Sequence, residues 1–222
     1  MIVEVAGYQQ VRIREINLTL LPQKAVFFDK YAILLIADLH MGKVNHFRRS
    51  GIPVPTAINT QNLEILIDLI QKLKPKRVVF LGDLFHSHYN DEWEALGQVV
   101  RHFKSSKFEL VRGNHDIMSA LQYERCQLVV HEHLEVGSFL LTHEPMSEIP
   151  PGKYNICGHI HPGVRLRGMG RQSLTLPCFY FGQHEAILPA FGSFTGYVRI
   201  PVKKKDKVFI IADQKVIEMD QA

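Results

Sequence analysis

Cysteine is scarce in this chain. Only Cys126, Cys157 and Cys178 among 222 residues carry a thiol, and no two of them stand in a CxxC pair. So scattered a set excludes a disulfide framework and a zinc–thiolate site. It suits a reduced, cytoplasmic protein in which thiols serve as small buried hydrophobes. Long apolar runs are missing too. No segment approaches the roughly 20 apolar residues needed to cross a bilayer, so no membrane partner is expected. Met1 to Tyr8 lack a basic stretch followed by an apolar one, and no secretory signal is read there. A strong charge of one sign is also lacking. The formal net charge of +4 permits a phosphate or nucleic-acid partner without arguing strongly for one. No repeat, low-complexity tract or linker divides the chain, so residues 1–222 are read as a single domain.

Histidine, by contrast, is abundant, at 12 residues. Imidazole is the commonest metal ligand in proteins, so the places where the histidines fall decide the reading. The chain opens with strands expected over 2–6, 11–20, 24–29 and 32–37. Ala32 to Ala37 is continuously apolar, as expected of a strand covered on both faces. A helix is expected over 56–73, capped by Thr56 and apolar along Ile58, Leu63, Leu66, Leu69, Ile70 and Leu73. Strands at 78–81 and 108–111 flank a helix at 91–103. Beyond residue 127 the sequence turns strand-rich, with short runs at 127–131, 133–136, 138–142, 154–157, 163–167, 173–176, 184–187, 197–200, 208–212 and 215–219. That order predicts an α/β (α+β) protein of two packed sheets with helices outside.

Five short motifs begin where apolar strands stop: Asp38-Leu39-His40, Gly82-Asp83, Gly113-Asn114-His115-Asp116, Thr142-His143 and Gly158-His159-Ile160-His161. Loops at strand C-terminal ends form the active-site rim of open α/β architectures. Asp38 and His40 are spaced i, i+2, which in extended chain points both side chains one way, and His159 and His161 repeat the spacing. The glycine before Asp83 lets backbone crowd the site. A carboxylate there has two oxygens and can bridge two cations, and Asn114 offers a neutral carbonyl oxygen. Imidazole, carboxylate and amide together suit Mn²⁺, Fe²⁺ or Zn²⁺. Two such ions about 3.5–4 Å apart can activate a water and clamp a phosphoryl oxygen. Each motif alone is commonly a surface turn. Their shared order and strand-end setting carry the reading.

This ordered set resembles the calcineurin-like metallophosphoesterase superfamily. The resemblance implies a four-layer α-β-β-α sandwich and a metal-dependent phosphoesterase. It implies that Asp38, His40 and His161 hold one cation and Asn114, His143 and His159 a second, with Asp83 bridging. It further implies that His115 faces the scissile phosphate and protonates the leaving oxygen, and that Asp116 orients His115 by a hydrogen bond. A narrower likeness runs through Asp38 to Lys43, His46 to Pro53, Gly82 to Ser87 and Leu141 to Pro145. These stretches are similar to the ligase-associated DNA damage response endonucleases, the PdeM group. That group implies Mn²⁺, a phosphodiester substrate such as DNA, and a DNA ligase and a helicase as partners. Most of the superfamily has glycine before the fourth histidine, whereas this chain has Thr142.

Lys43, Arg48 and Arg49 follow the first ligand pair and are candidates to receive phosphate oxygens; a solvated basic loop is the bland alternative. Arg112, beside Gly113, is a weaker candidate. His86 and His88, just past Asp83, could line the site but read more simply as exposed loop histidines. Phe85, Tyr89 and Trp93 could stack on a base but read more simply as core. Lys203-Lys204-Lys205 could touch a phosphate backbone but reads more simply as a charged hairpin turn between the strands expected over 197–200 and 208–212. Between Leu84 and Phe108 there is room for one helix and no large cap, which favours a polymer substrate. The rival readings are a phosphomonoesterase acting on nucleotides or phosphoproteins, and a metal-stabilised, non-catalytic scaffold in a repair complex.

Overall fold

The computed structural model describes residues 5–41, 57–85, 91–168, 172–193 and 195–219. Its first sheet begins with β1 (Gln9–Ile13), β2 (Ile16–Leu21), β3 (Ala25–Phe28) and β4 (Ile33–Ala37), paired antiparallel in chain order. It continues in parallel through β5 (Arg77–Leu81), β6 (Lys107–Val111) and β7 (Leu128–His131). The single strand expected over 11–20 is therefore a hairpin. Arg14 and Glu15 turn it with φ of 48° and 62°, the left-handed pair that matches the twist of a two-residue hairpin. Neither is Gly, Asn or Asp, so the turn left no compositional signal. The strand expected over 2–6 begins outside the described residues, as does Thr56.

The second sheet is built from β8 (Leu134–Val136), β9 (Phe139–Leu141), β10 (Tyr154–Cys157), β11 (Pro162–Arg167), β12 (Ser173–Phe181), β13 (Glu185–Ile187), β14 (Val198–Arg199), β15 (Lys207–Ala212) and β16 (Lys215–Glu218). Its main path runs β14-β11-β12-β13-β10-β9-β8, with β15 and β16 extending from β12. Three helices are described: α1 (Ala57–Leu73), α2 (Asp91–His102) and α3 (Ala120–Arg125). No sequence pattern marks α3. It buries one side chain, Tyr123, too little for a periodic pattern.

Strand alternation explains the continuous apolar runs. Ile33, Leu35, Val79 and Leu81 face Phe139, Ile156, Phe179 and Phe209 of the second sheet across the sandwich interior. Leu34, Ile36, Val78 and Phe80 point the other way, onto Leu66, Leu69, Ile70 and Leu73 of α1 and onto Trp93 and Leu96 of α2. Each of these buried side chains stabilises the fold by about 1.5–3 kcal/mol relative to exposure. All the described helices pack on this outer face. The outer face of the second sheet carries a separate cluster around Cys157, Cys178, Tyr180 and Val208, with no helix among the described residues.

The registers level the strand ends. Ala37 pairs Leu81 and Leu81 pairs Val111, so β4, β5 and β6 finish side by side. In the other sheet Leu141 pairs Ile156, so parallel β9 and β10 end nearly together. Every motif of the candidate site follows one of these five ends.

Candidate metal centre

Seven side chains gather at that edge in two groups. Asp38, His40 and His161 present ligand atoms within 4.8 Å of one another, as do Asp83, His143 and His159. In the first group His40 Nε2 lies 3.4 Å from His161 Nε2, which lies 3.5 Å from Asp38 Oδ1. In the second, His143 Nε2 lies 3.0 Å from Asn114 Oδ1, 3.1 Å from His159 Nδ1 and 3.4 Å from Asp83 Oδ1. Asp83 stands between them: Oδ1 faces His143, and Oδ2 lies 3.8 Å from His40 Nε2.

The backbone is bent hard to do this. Asp38, His40, Asp83, His159 and His161 all adopt left-handed φ, between 46° and 65°. The i, i+2 pairs therefore do not converge through extended chain, as the spacing suggested. They converge through turns that non-glycine residues adopt at a cost of order 1–3 kcal/mol each. Hydrogen bonds hold the turns. His40 N donates to Asp83 O and Met41 N to Leu84 O, carrying the β4–β5 pairing past the strand ends. Gly192 N donates to Asp38 O at 3.1 Å, and His159 N to Asp38 Oδ2 at 2.9 Å. Two glycines make the approach possible. A Cβ on Gly82 would sit 2.1 Å from His143 Nδ1, and one on Gly158 would sit 2.4 Å from Asp38 Oδ2.

The donor set fits cations. His143 Nδ1 lies 3.1 Å from the Leu81 carbonyl oxygen. A carbonyl only accepts, so Nδ1 carries the proton and Nε2 is left as a lone pair, the arrangement of a metal-ligating imidazole. That lone pair faces an amide oxygen, a carboxylate oxygen and another ring nitrogen. Asp38 Oδ1 is fully buried with no hydrogen-bond partner among the described residues. Like atoms placed so close in a buried setting are costly unless a cation lies among them.

His115 and Asp116 follow Asn114. His115 is partly exposed, with Nε2 4.0 Å from Asp83 Oδ2, and its main-chain N–H donates to Asp83 Oδ1 at 3.0 Å. Asp116 is placed otherwise than expected. Its Oδ1 accepts from the N–H groups of Leu84 and Phe85, and its Oδ2 from that of Gly113. The carboxylate ties the Asp83 loop to the Asn114 loop, rather than meeting the His115 ring. Burial pushes its pKa up to about 6, aided by the nearby Asp83 charge and opposed by those three N–H groups.

Lys43, Arg48 and Arg49 lie outside the described residues, as do His86, His88 and Tyr89. Arg112 lies at the groove beside Asn114 and His143, 3.5 Å from Glu132. Phe85 and Trp93 are buried edge to face, 5.4 Å between centroids, and belong to the core. Two contributions had no sequence signal: the Leu81 carbonyl that orients His143, and the Phe191–Gly192 backbone that grips Ala37 and Asp38. Main-chain groups look alike in any sequence.

A model of the calcineurin-like phosphoesterase family matches residues 31–209. The chain belongs to that family. It is therefore a metal-dependent phosphoesterase, a hydrolase of the α/β sandwich type. Among solved structures, a nuclease MPE from Pseudomonas putida is 27% identical at a TM-score of 0.81, over 96% of this chain and 100% of that one. This agrees with the nuclease-group resemblance of the motifs. Yfce, a phosphoesterase from E. coli, is 14% identical at a TM-score of 0.42, over 83% of this chain and 96% of that one. AQ665 from Aquifex aeolicus, of unknown function, is 19% identical at 0.42, over 63% and 82%. No curated protein matches the chain. No described helix is long and apolar enough to cross a membrane.

Proposed function

We propose that this phosphoesterase is a phosphodiesterase, an endonuclease of DNA, working with two divalent cations, Mn²⁺ above Fe²⁺ or Zn²⁺. The observation that carries the two-cation reading is Asp83, whose two oxygens face different ligand groups, His143 on one side and His40 on the other. Asp38, His40 and His161 would hold one cation, and Asn114, His143 and His159 the other, with Asp83 common to both. Bound there, the pair would supply a water-derived nucleophile at neutral pH and neutralise the phosphoryl oxygens.

The protein's own groups do the rest. His115 stands beside the Asp83 carboxylate, where its partly exposed ring can give a proton to the departing oxygen. Asp116 fixes the three backbone N–H groups that set Asp83 and Asn114 in place. Lys43, Arg48 and Arg49 are proposed to receive substrate phosphates. The diester preference is supported by the nuclease among similar structures and by the short Leu84–Phe108 connection, which has no room for a large cap. The likeness of the ligand-flanking motifs to the ligase-associated group supports a place in DNA repair, beside a ligase and a helicase.

A chromogenic panel of mono- and diesters with added Mn²⁺ tests the substrate class. Diester turnover should dominate; dominant monoester turnover overturns the reading. His115→Ala should cut diester turnover by about 10²–10⁴-fold with the fold intact. Activity that survived this change would belong to another site.

A further inference from the structure

Three cavities follow one another along the loop that joins β9 to β10. The first, about 490 Å³, opens beside Asn114 and His143 and takes in Arg112, Met146 and Ser147. The second, about 520 Å³, shares Met146 and Ser147 with it and reaches His184 and the Lys203–Lys205 turn. The third, about 350 Å³, shares Ser147 and His184 with the second and ends at Arg14 and Lys153. Their shared linings set the three side by side, and together they form a trough that leads from the metal centre past three consecutive lysines.

We propose that this trough is the path of a nucleic-acid strand, with Lys203, Lys204 and Lys205 holding phosphates remote from the one being cut. The inference rests on the phosphodiesterase reading above and extends it to the polymer on either side of the scissile bond.

The turn is built to hold its lysines in place. Asp206 is buried at its base. Its Oδ2 accepts from Lys203 N at 2.7 Å and from the Tyr180 hydroxyl at 2.9 Å, and its own N–H donates to Lys203 O at 2.9 Å. A turn that served only solubility would not require a buried carboxylate, whose desolvation is costly. Lys203, Lys204 and Lys205 themselves are exposed and form no ion pair among the described residues. The acids along the trough do not cancel them. Glu132 faces Arg112 and Asp206 is engaged in the turn, which leaves Glu144 and Glu185 against three lysines. Unpaired lysines in a row along a groove suit a strand that carries one charge per nucleotide, and phosphate contacts of this kind give affinity without sequence preference.

The test compares the wild type with K203A/K204A/K205A on two probes. One is bis(p-nitrophenyl) phosphate with Mn²⁺, too small to reach the turn. The other is a fluorescein-labelled single-stranded oligonucleotide long enough to span the trough, followed by anisotropy across a salt series. The variant should hydrolyse the small diester at the wild-type rate. It should bind the oligonucleotide about tenfold more weakly at low salt, with a log–log salt slope smaller by about 2. Unchanged oligonucleotide affinity and slope overturn the proposal. So does an equal loss on both probes, which would assign the lysines to folding. So does a phosphoserine peptide that needs the lysines while the DNA strand does not. If the wild type binds the strand through these lysines but leaves the diester uncut, the track stands and the phosphodiesterase reading falls.

Discussion

Asp83, just past the end of β5, and Glu109, within neighbouring β6, are carboxylates almost wholly buried at 3% and 1% exposure, and they keep opposite company. Glu109 is answered by protein cations: Arg77 Nε at 2.5 Å, Lys107 Nζ at 2.8 Å and His131 Nε2 at 3.0 Å. Burial would raise its pKa, but those hydrogen bonds and the Arg77 charge outweigh it and hold the carboxyl below its ordinary value. Among the described residues the Asp83 carboxylate has only imidazole rings, and no arginine or lysine, within ion-pair distance. A buried charge must be paired or coordinate metal. One region of this sheet is finished by the chain itself. The other is left for cations from solution.

The largest expected effect comes from removing Asp83. Asp83→Ala should lower metal-dependent hydrolysis by about 10³-fold or more, beyond the loss of a single electrostatic donor. Bound metal per chain should fall with it, as read by elemental analysis after gel filtration. Stability should tell the two carboxylates apart. In chelator, Asp83→Asn should leave the thermal midpoint unchanged or raised, because a costly buried charge has gone. Glu109→Ala strands Arg77 and should cost about 2–4 kcal/mol in urea unfolding, somewhat below a fully buried pair because Arg77 is partly solvated. Its turnover per folded molecule should hold. If the chelated Asp83 variant lost as much stability as the Glu109 variant, Asp83 would be a structural residue and the contrast would collapse.

How far each region can be read from sequence follows the same division. Strands covered on both faces announced themselves, as Ile33–Ala37 and Val78–Leu81 did, because burial on two sides leaves no polar position. The seven residues that gather at this edge were legible as candidate ligands because rare residue types recur at strand ends. Their approach was not. The i, i+2 spacing suggested extended chain, while the structure uses left-handed turns at Asp38, His40, His159 and His161, held by backbone contacts that any sequence could offer. Asp116 shows the same limit. Its position beside His115 suggested a partner for the ring, yet the N–H groups of Leu84, Phe85 and Gly113, from two loops, claim it. Glu109 drew no notice in sequence because its cations lie at 77, 107 and 131, brought together only by strand register.

Acid should sharpen the contrast through Glu109. A depressed carboxyl pKa gives stability that is fully present above the unfolded value of about 4.3 and is lost as pH falls through the lower folded value. Urea midpoints of metal-free protein should therefore fall below about pH 4.3 with a slope that Glu109→Gln reduces. An identical acid limb in that variant would mean that Glu109 is not held below its ordinary value.

The smallest effect separates the partners of Glu109 from one another. Arg77 is 28% exposed at its side chain and binds Oε2 through a guanidinium on the neighbouring strand, whereas Lys107 is 53% exposed and sits two residues away on the same strand. Water can take the place of an ammonium that is already half solvated, and such pairs contribute about 0–1 kcal/mol. Lys107→Ala should therefore shift urea stability by about 0.5 kcal/mol, with most of that lost in high salt. Arg77→Ala should cost several times more, since it strips Oε2 of its donor inside the sandwich. Equal losses from the two changes would mean that Glu109 responds to net charge and not to the directed hydrogen bonds that set it apart from Asp83.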